Sequence, residues 1–423
     1  MIKDRIARLT ALSFRASALA AKFGFVVVLA IFLEPIEVGQ YGLIAVTINF
    51  SLYFLGLDFY IYANREYRTS APTDRSAIIW QMGYLFGATY VLLGFSLPLL
   101  ALGGFLPWAL LYLIAALAIF EHLSTELYRF LIITGRPVLA SFGFFIRLGL
   151  WPACAALAMW LEPSARNLHD ILLLWVAGAV LSIAIPMTFI SVRIPSLKPF
   201  PIHWQWIRSG LKITIPFLVG TLCLRGVQTF DRYMFNEMVG ADALGAFVFF
   251  ASLASLLPAM LQAGVYSFAI PSFVSLAHEQ KWPAFFAKMK VIRRELFVSS
   301  VLISLVILLC ADLVVEIIEK PAYLINYSLL YFAVAANCIF AASMYFHMAL
   351  YALKRDRALT LAHISALTSF FLFTVVASWF SNYYAVPIGV VAANAAMLCV
   401  KFASYKAALR EEGIRSRPDG ETV

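Results

Sequence analysis

The chain has 423 residues, 62% of them hydrophobic and 13% charged, where soluble globular proteins run at about 45–50% and 25%. A water-soluble globular fold is excluded, and an aromatic share of 15% excludes general disorder as well. A net charge of +9 would point to nucleic acid in a soluble chain; here its uneven placement reports membrane topology instead, and no nucleic-acid partner is expected.

A helix crosses a bilayer with about 20 apolar residues. Twelve such windows follow one another at 9–33, 41–63, 77–102, 107–128, 137–161, 169–191, 209–235, 243–269, 295–318, 322–350, 358–380 and 385–406. The first is interrupted by Arg15 and Lys22. It therefore lacks the unbroken apolar core of a cleaved signal peptide, although Ala18-Leu19-Ala20 resembles a cleavage triplet, and it reads as a retained span. With the N-terminus inside, the inner connections hold Lys3, Arg5, Arg8; Arg65, Arg68, Arg75; Arg129, Arg136; Arg193, Lys198, Arg208, Lys212; Lys281, Lys288, Lys290, Arg293, Arg294; Lys354, Arg355, Arg357; and Lys401, Lys406, Arg410, Arg415, Arg417. The outer connections hold only Arg166 and Lys320, beside Glu34, Glu37, Glu162, Glu237, Asp242, Asp312 and Glu319. This asymmetry predicts cytoplasmic N- and C-termini.

Cys154, Cys223, Cys310, Cys338 and Cys399 are scattered through apolar windows with no C-x-x-C pair, so they read as small buried hydrophobes rather than a disulfide or zinc framework. No phosphate-binding loop, H-x-x-x-H pair or nucleophile elbow occurs, so the chain encodes no ATP-hydrolysing engine and no cofactor is expected.

What remains is the charge inside the windows: Arg15 and Lys22 in the first, Arg147 in the fifth, Arg225 and Arg232 in the seventh, with Asp58, Glu121, Glu126 and Asp231. A charge at mid-bilayer costs at least about 2.5–3.5 kcal/mol, so these side chains should face water or one another. Arg15, Asp58, Glu126 and Arg232 lie near window ends, where snorkelling or structural ion pairing competes with function. Lys22, Glu121, Arg147 and Arg225 lie deeper, and there function is favoured. Glu121 first and Asp58 second are the carboxyls expected to couple or gate, with Glu126 and Asp231 beside them. A fixed ion pair of Glu121 with Arg147 or Lys22 is the competing expectation.

An internal duplication accounts for part of this pattern. The turn Glu37-Val38-Gly39-Gln40-Tyr41-Gly42-Leu43 matches Gly240-Ala241-Asp242-Ala243-Leu244-Gly245-Ala246-Phe247, and superposing Gly42 on Gly245 sets an offset of 203 residues. The same offset carries Lys22 onto Arg225. In each helix a second cation lies seven residues away, Arg15 or Arg232, hence on the same face; in the seventh window that face also holds Thr221 and Gln228. The expected organisation is a six-helix bundle over 1–192, a cytoplasmic linker over 193–208 marked by Pro195, Pro199 and Pro201, a second six-helix bundle over 209–406, and a cytoplasmic tail over 407–423.

These residues resemble a known family. The outer turn Leu33 to Gly42 with its apolar helix ending at Leu57-Asp58, and Phe230-Asp231-Arg232-Tyr233-Met234 leading into Gly240–Phe247 and Pro271, look like the polysaccharide transporters of the multidrug/oligosaccharidyl-lipid/polysaccharide (MOP) superfamily, in particular the Wzx-type O-antigen flippases. The resemblance covers the whole chain in span number and half-to-half layout, through loose motifs. It implies an all-α integral membrane protein with two six-helix bundles, as in MATE transporters, around a cavity that opens alternately to either side. It also implies a bacterial inner membrane location and transport of undecaprenyl-pyrophosphate-linked oligosaccharide to the periplasmic leaflet, with a proton or sodium gradient as driving force and polysaccharide polymerase and chain-length machinery as partners. Lys22, Arg147 and Arg225, with Arg15 and Arg232, are then expected to bind the anionic cargo, Arg through its fork of donors and Lys as a point charge.

Two other readings use the same spans. A multidrug or cation exporter of the superfamily should line its cavity with acids and aromatics, which the cation excess argues against. A membrane glycosyltransferase or O-antigen polymerase would find carboxylates in Glu34 and Glu37, but needs a sizeable outer loop, and no outer connection exceeds about a dozen residues. The topology is tested by single cysteines in a background lacking the native five. A membrane-impermeant thiol reagent on intact cells is expected to label Arg166→Cys and to spare Lys288→Cys; the reverse pattern overturns both the topology and the repeat.

Overall fold

The structure, a computed structural model, describes residues 2–71, 74–190 and 200–411. The linker segment 191–199, with Arg193, Pro195, Lys198 and Pro199, lies outside the described residues, as do the tail beyond 411 and the side chains of Lys3, Arg5 and Arg8. Among the described residues there is no strand, and twelve helices are long and apolar enough to cross a membrane. In chain order the spans are Thr10–Phe32, Pro35–Gly56, Arg75–Leu102, Trp108–Ile133, Pro137–Leu161, Leu168–Thr188, Trp204–Val239, Ala241–His278, Trp282–Ile318, Ser328–Ala352, Asp356–Ser378 and Asn382–Glu411. They correspond one for one to the apolar windows.

Several run well past the windows that announced them. The ninth extends over 37 residues because Lys288, Lys290, Arg293 and Arg294, expected in a connection, continue the helix; Lys and Arg are good helix formers, and only the Gln280–Lys281 turn and Pro283 mark its start. The second span begins at Pro35, where the Glu34 backbone N–H donates to Glu37 Oε2 at 3.2 Å. That carboxylate is thus engaged in capping its own helix.

The chain divides into two compact units, Met1–Leu218 and Val219–Val423. The linker expected to reach Arg208 is shorter than that. Helix resumes at Trp204, and its first turns belong to the first unit, where Ile207 and Trp206 pack with Phe59 and Tyr62. Gln81 holds the entering strand of chain from both sides: its Nε2 donates to the Pro201 carbonyl at 2.9 Å and its Oε1 accepts from the His203 N–H at 2.8 Å. A buried amide that both donates and accepts in this way fixes backbone that has no helical partners of its own.

Within each unit the neighbours repeat. In the first, span 1 packs on 5, span 2 on 3 and 4, and span 4 on 3, 5 and 6. In the second, span 8 packs on 9 and 10, and span 10 on 9, 11 and 12. Span 7 meets span 11 through Phe230 against Phe371 and Gly226 against Leu367. Adding six to each span number of the first unit generates the second, the layout that a duplication produces.

Lipid tails are as apolar as Leu, so helices in a bilayer associate through close packing that small residues permit. The tightest approach joins spans 11 and 12 at Gly389, where a Cβ would lie 2.0 Å from Thr374 Oγ1 and 3.0 Å from the Phe370 carbonyl. Gly389→Ala is expected to destabilise the second unit by about 1–3 kcal/mol, the usual cost of overpacking. Thermal unfolding of detergent-purified protein reads the loss, and Thr374→Ala in the same chain should recover part of it.

Candidate functional site

In the first unit the deep acid and the deep cation of the sequence meet. Glu121, 3% exposed and midway along span 4, accepts a hydrogen bond from the Trp175 indole N–H of span 6 at 2.7 Å. Its second oxygen lies 3.4 Å from Arg147 Nε of span 5, an ion-pair contact not aligned as a hydrogen bond. Arg147 also donates from Nη1 to Thr125 Oγ1, one turn beyond Glu121 on the same helix. Lys22 of span 1 acts on Glu121 electrostatically. Arg147 stands in a widened π turn, Ile146–Leu150, an irregularity that re-aims side chains and recurs at functional sites.

Aromatic rings wall this pair. Trp175 stacks on Trp151, centroids 5.1 Å apart and planes at 8°, while Tyr41 approaches Trp175 and Phe25 meets both Tyr41 and Trp151 edge-on. The stack needs Gly178, since a Cβ there would fall 2.5 Å from Trp151 Cβ. Arg15 is engaged elsewhere, tying span 1 to its neighbours through Ser141 Oγ at 3.2 Å and Tyr128 OH at 3.0 Å.

A second polar group forms where span 2 ends. Leu57 and Asp58 both adopt positive φ, 50° and 49°, a conformation that costs about 1–2 kcal/mol per L-residue outside glycine. The turn buries Asp58 to 4% exposure, so it does not snorkel. Its charge acts on Glu126, which binds Arg129; the Arg129 guanidinium lies over the Tyr60 ring at 3.6 Å. His122 completes the group, with Nδ1 against Tyr90 OH at 2.8 Å and Nε2 3.9 Å from Glu126 Oε1. Arg129, expected in an inner connection, is thus within span 4, where Glu126 and the Tyr60 face hold it.

In the second unit, Arg225 and Arg232 are joined along one face of span 7 through Gln228. Arg225 Nη1 donates to Gln228 Oε1 at 2.9 Å and Arg232 Nη1 to the Gln228 carbonyl at 2.7 Å. Arg232 is paired with its neighbour Asp231 at 2.8 Å; Asp231 is buried.

Burial sets two of the deep cations apart from the acids. Glu121, Asp58 and Asp231 are buried, while Lys22 and Arg225, each near the middle of its span, are exposed. Lys22 is telling, since it falls on the same helical stripe as Ala18, Phe25 and Leu29, all of which are buried. One residue counted with the inner connections belongs here too: Lys401 lies within the twelfth helix and is 0% exposed. Its signal in the sequence was a lysine preceded by ten residues without a charge, inside a window that already reached 406. Among the described residues no group of three or more His, Cys, Asp or Glu is placed to hold a metal ion.

No family model matches the sequence, and no curated protein matches it. Solved structures do match in fold. The inward-facing conformation of a multidrug resistance MATE family transporter of the MOP superfamily superposes with a TM-score of 0.69 at 12% identity, covering 96% of this chain and all of that one. A mutant of the MATE transporter VcmN from Vibrio cholerae superposes with a TM-score of 0.60 at 14% identity, covering 96% of each chain. The chain is a twelve-span membrane protein with the fold of MATE transporters.

Removing one member of the Glu121–Arg147 pair leaves the other enclosed without its counter-charge, at a cost of about 3–5 kcal/mol, whereas an apolar pair of similar volume is often neutral. Glu121→Leu is expected to lower the yield of folded protein, and Glu121→Leu combined with Arg147→Met to restore it. Fluorescence-detected size exclusion of membrane extracts measures both.

Proposed function

We propose that the protein is a secondary transporter of the bacterial inner membrane that moves an anionic lipid-linked oligosaccharide, carried on undecaprenyl pyrophosphate, from the cytoplasmic to the periplasmic leaflet by alternating access, for O-antigen or a related surface polysaccharide. The observation that carries this reading is the exposure of the two repeat-related cations. Each unit presents one exposed mid-span cation, Lys22 or Arg225, while the intramembrane acids Glu121, Asp58 and Asp231 are buried. An exposed cation at mid-membrane suits a pyrophosphate, whose burial in hydrocarbon is otherwise prohibitive. Arg225 would grip phosphate through two donors and Lys22 would attract it as a point charge. Export of a cationic drug calls for accessible carboxylates, and Glu121, Asp58 and Asp231 are buried here. Polymerase and chain-length proteins are the natural partners of such a carrier.

A cation that serves cargo and one that holds the fold differ in what they cost when removed. Lys22→Ala and Arg225→Ala are expected to abolish surface polysaccharide in a flippase-deficient strain at normal membrane abundance. Lys22→Arg should keep part of the activity and Arg225→Lys less, because two-point contact is lost. Wild-type polysaccharide from the double alanine variant ends the proposal.

A further inference from the structure

The most costly group in the second unit takes no part in the reading above. Lys401 is fully enclosed, and its Nζ lies 3.4 Å from Ser343 Oγ of span 10. One turn further along span 10 from Ser343 stands His347, whose ring stacks on that of His363 from span 11, centroids 6.1 Å apart and planes at 12°. His347 Nδ1 is enclosed with no hydrogen-bond partner among the described residues. His363 is bonded to the Gly220 backbone of span 7 and feels the charges of both Lys401 and Arg225. Three nitrogen bases from spans 10, 11 and 12 therefore lie together, Lys401 buried and the two imidazoles partly buried.

The surroundings supply no compensating charge. From span 7 the facing charge is Arg225; from span 10 there is Tyr345, which Arg293 of span 9 reaches, and from span 12 Tyr405, which interacts with Tyr345. No carboxylate is among the electrostatic partners of Lys401, His347 or His363 among the described residues. A buried cation without a counter-ion is held at high cost, and the cost rises with each further positive charge in the same low-dielectric space. A hard cation such as sodium takes oxygen ligands, and here it would meet three nitrogen bases and one hydroxyl. An anion as large as phosphate cannot reach an ammonium with no exposed surface. The ligand that fits is the smallest.

We propose that Lys401, His347 and His363 form a proton-binding site in the second unit, loaded and emptied as spans 10, 11 and 12 part and close around it. The step is a simple one: when water enters, hydronium gives its proton to an imidazole or amine, an N–H bond forming as the O–H bond breaks to leave water, and the proton returns to a water molecule as hydronium when the space next opens. Adding a positive charge to the enclosed cluster costs more than adding it to the hydrated one, so acidification favours the parted arrangement. A site of this kind makes the proton the coupling ion. In that use it rests on the transport reading, but the site itself is tested without cargo.

The test is hydrogen exchange of the purified full-length chain in nanodiscs between about pH 5 and 8, corrected for intrinsic exchange and read by mass spectrometry on peptides from spans 10, 11 and 12. One linked proton changes the opening equilibrium by up to about tenfold per pH unit. Wild type is expected to open more as pH falls, and Lys401→Met, which removes the charge and keeps the volume, to lose that dependence. Should Lys401→Met fail to fold, His347→Gln with His363→Gln serves, with a weakened dependence expected. Flat exchange in wild type, an unchanged pH dependence in the variant that folds, or protection by sodium chloride at fixed pH relative to choline chloride each overturns the proposal. Failed complementation with the exchange result intact would count against the flippase reading alone.

Discussion

An ionised side chain within an apolar bundle must be met by an opposite charge, by hydrogen bonds or by water, and in this protein that requirement decides where the irregular features fall. Glu121 receives Arg147 at 3.4 Å and the Trp175 indole at 2.7 Å. Meeting it requires the π turn that presents Arg147 and a glycine at 178 that lets Trp151 close against Trp175. Three spans are thereby committed to one carboxylate. The positive φ of Leu57 and Asp58 belongs to the same account, because the turn that strains them carries Asp58 into the Glu126–Arg129 group.

Helix association in hydrocarbon draws little from the hydrophobic effect, so the two units hold together by contact and by such polar ties. Gly389 seats span 12 on span 11, and rings fill the wider gaps: Phe25, Tyr41, Trp151 and Trp175 in the first unit, Phe249, Phe250 and Tyr323 in the second. The neighbour pattern is shared by the units while the polar content is not. The first unit encloses carboxylates with their cations; among the described residues the second encloses Asp231 with Arg232 and, apart from them, bases alone. On the transport reading this difference gives the halves unlike tasks: the first sets its exposed Lys22 near an ion pair, and the second sets its exposed Arg225 beside the proposed proton site.

Much of the architecture follows from one-dimensional pattern. Apolar length determines that a segment spans a membrane, because no other backbone arrangement than a helix satisfies its hydrogen bonds in lipid without partners, and the twelve windows correspond to the twelve helices in order. The deep charges were equally legible, since a Lys or Glu in an apolar run is costly wherever it points. What sequence spacing could not supply was the partner of each charge. Glu121 meets Arg147 and Trp175, 26 and 54 residues away, because spans 4, 5 and 6 pack together; Arg129 reads as a loop cation because hydropathy windows end where charges begin, whereas helices continue until a cap or a turn stops them. Which cations face outward was decided by tertiary packing alone. Lys22 shares a stripe with Ala18, Phe25 and Leu29 and would be read as buried with them, yet it is exposed, and Lys401 is enclosed, because burial depends on what neighbouring helices bring to a position and not on the residue that occupies it.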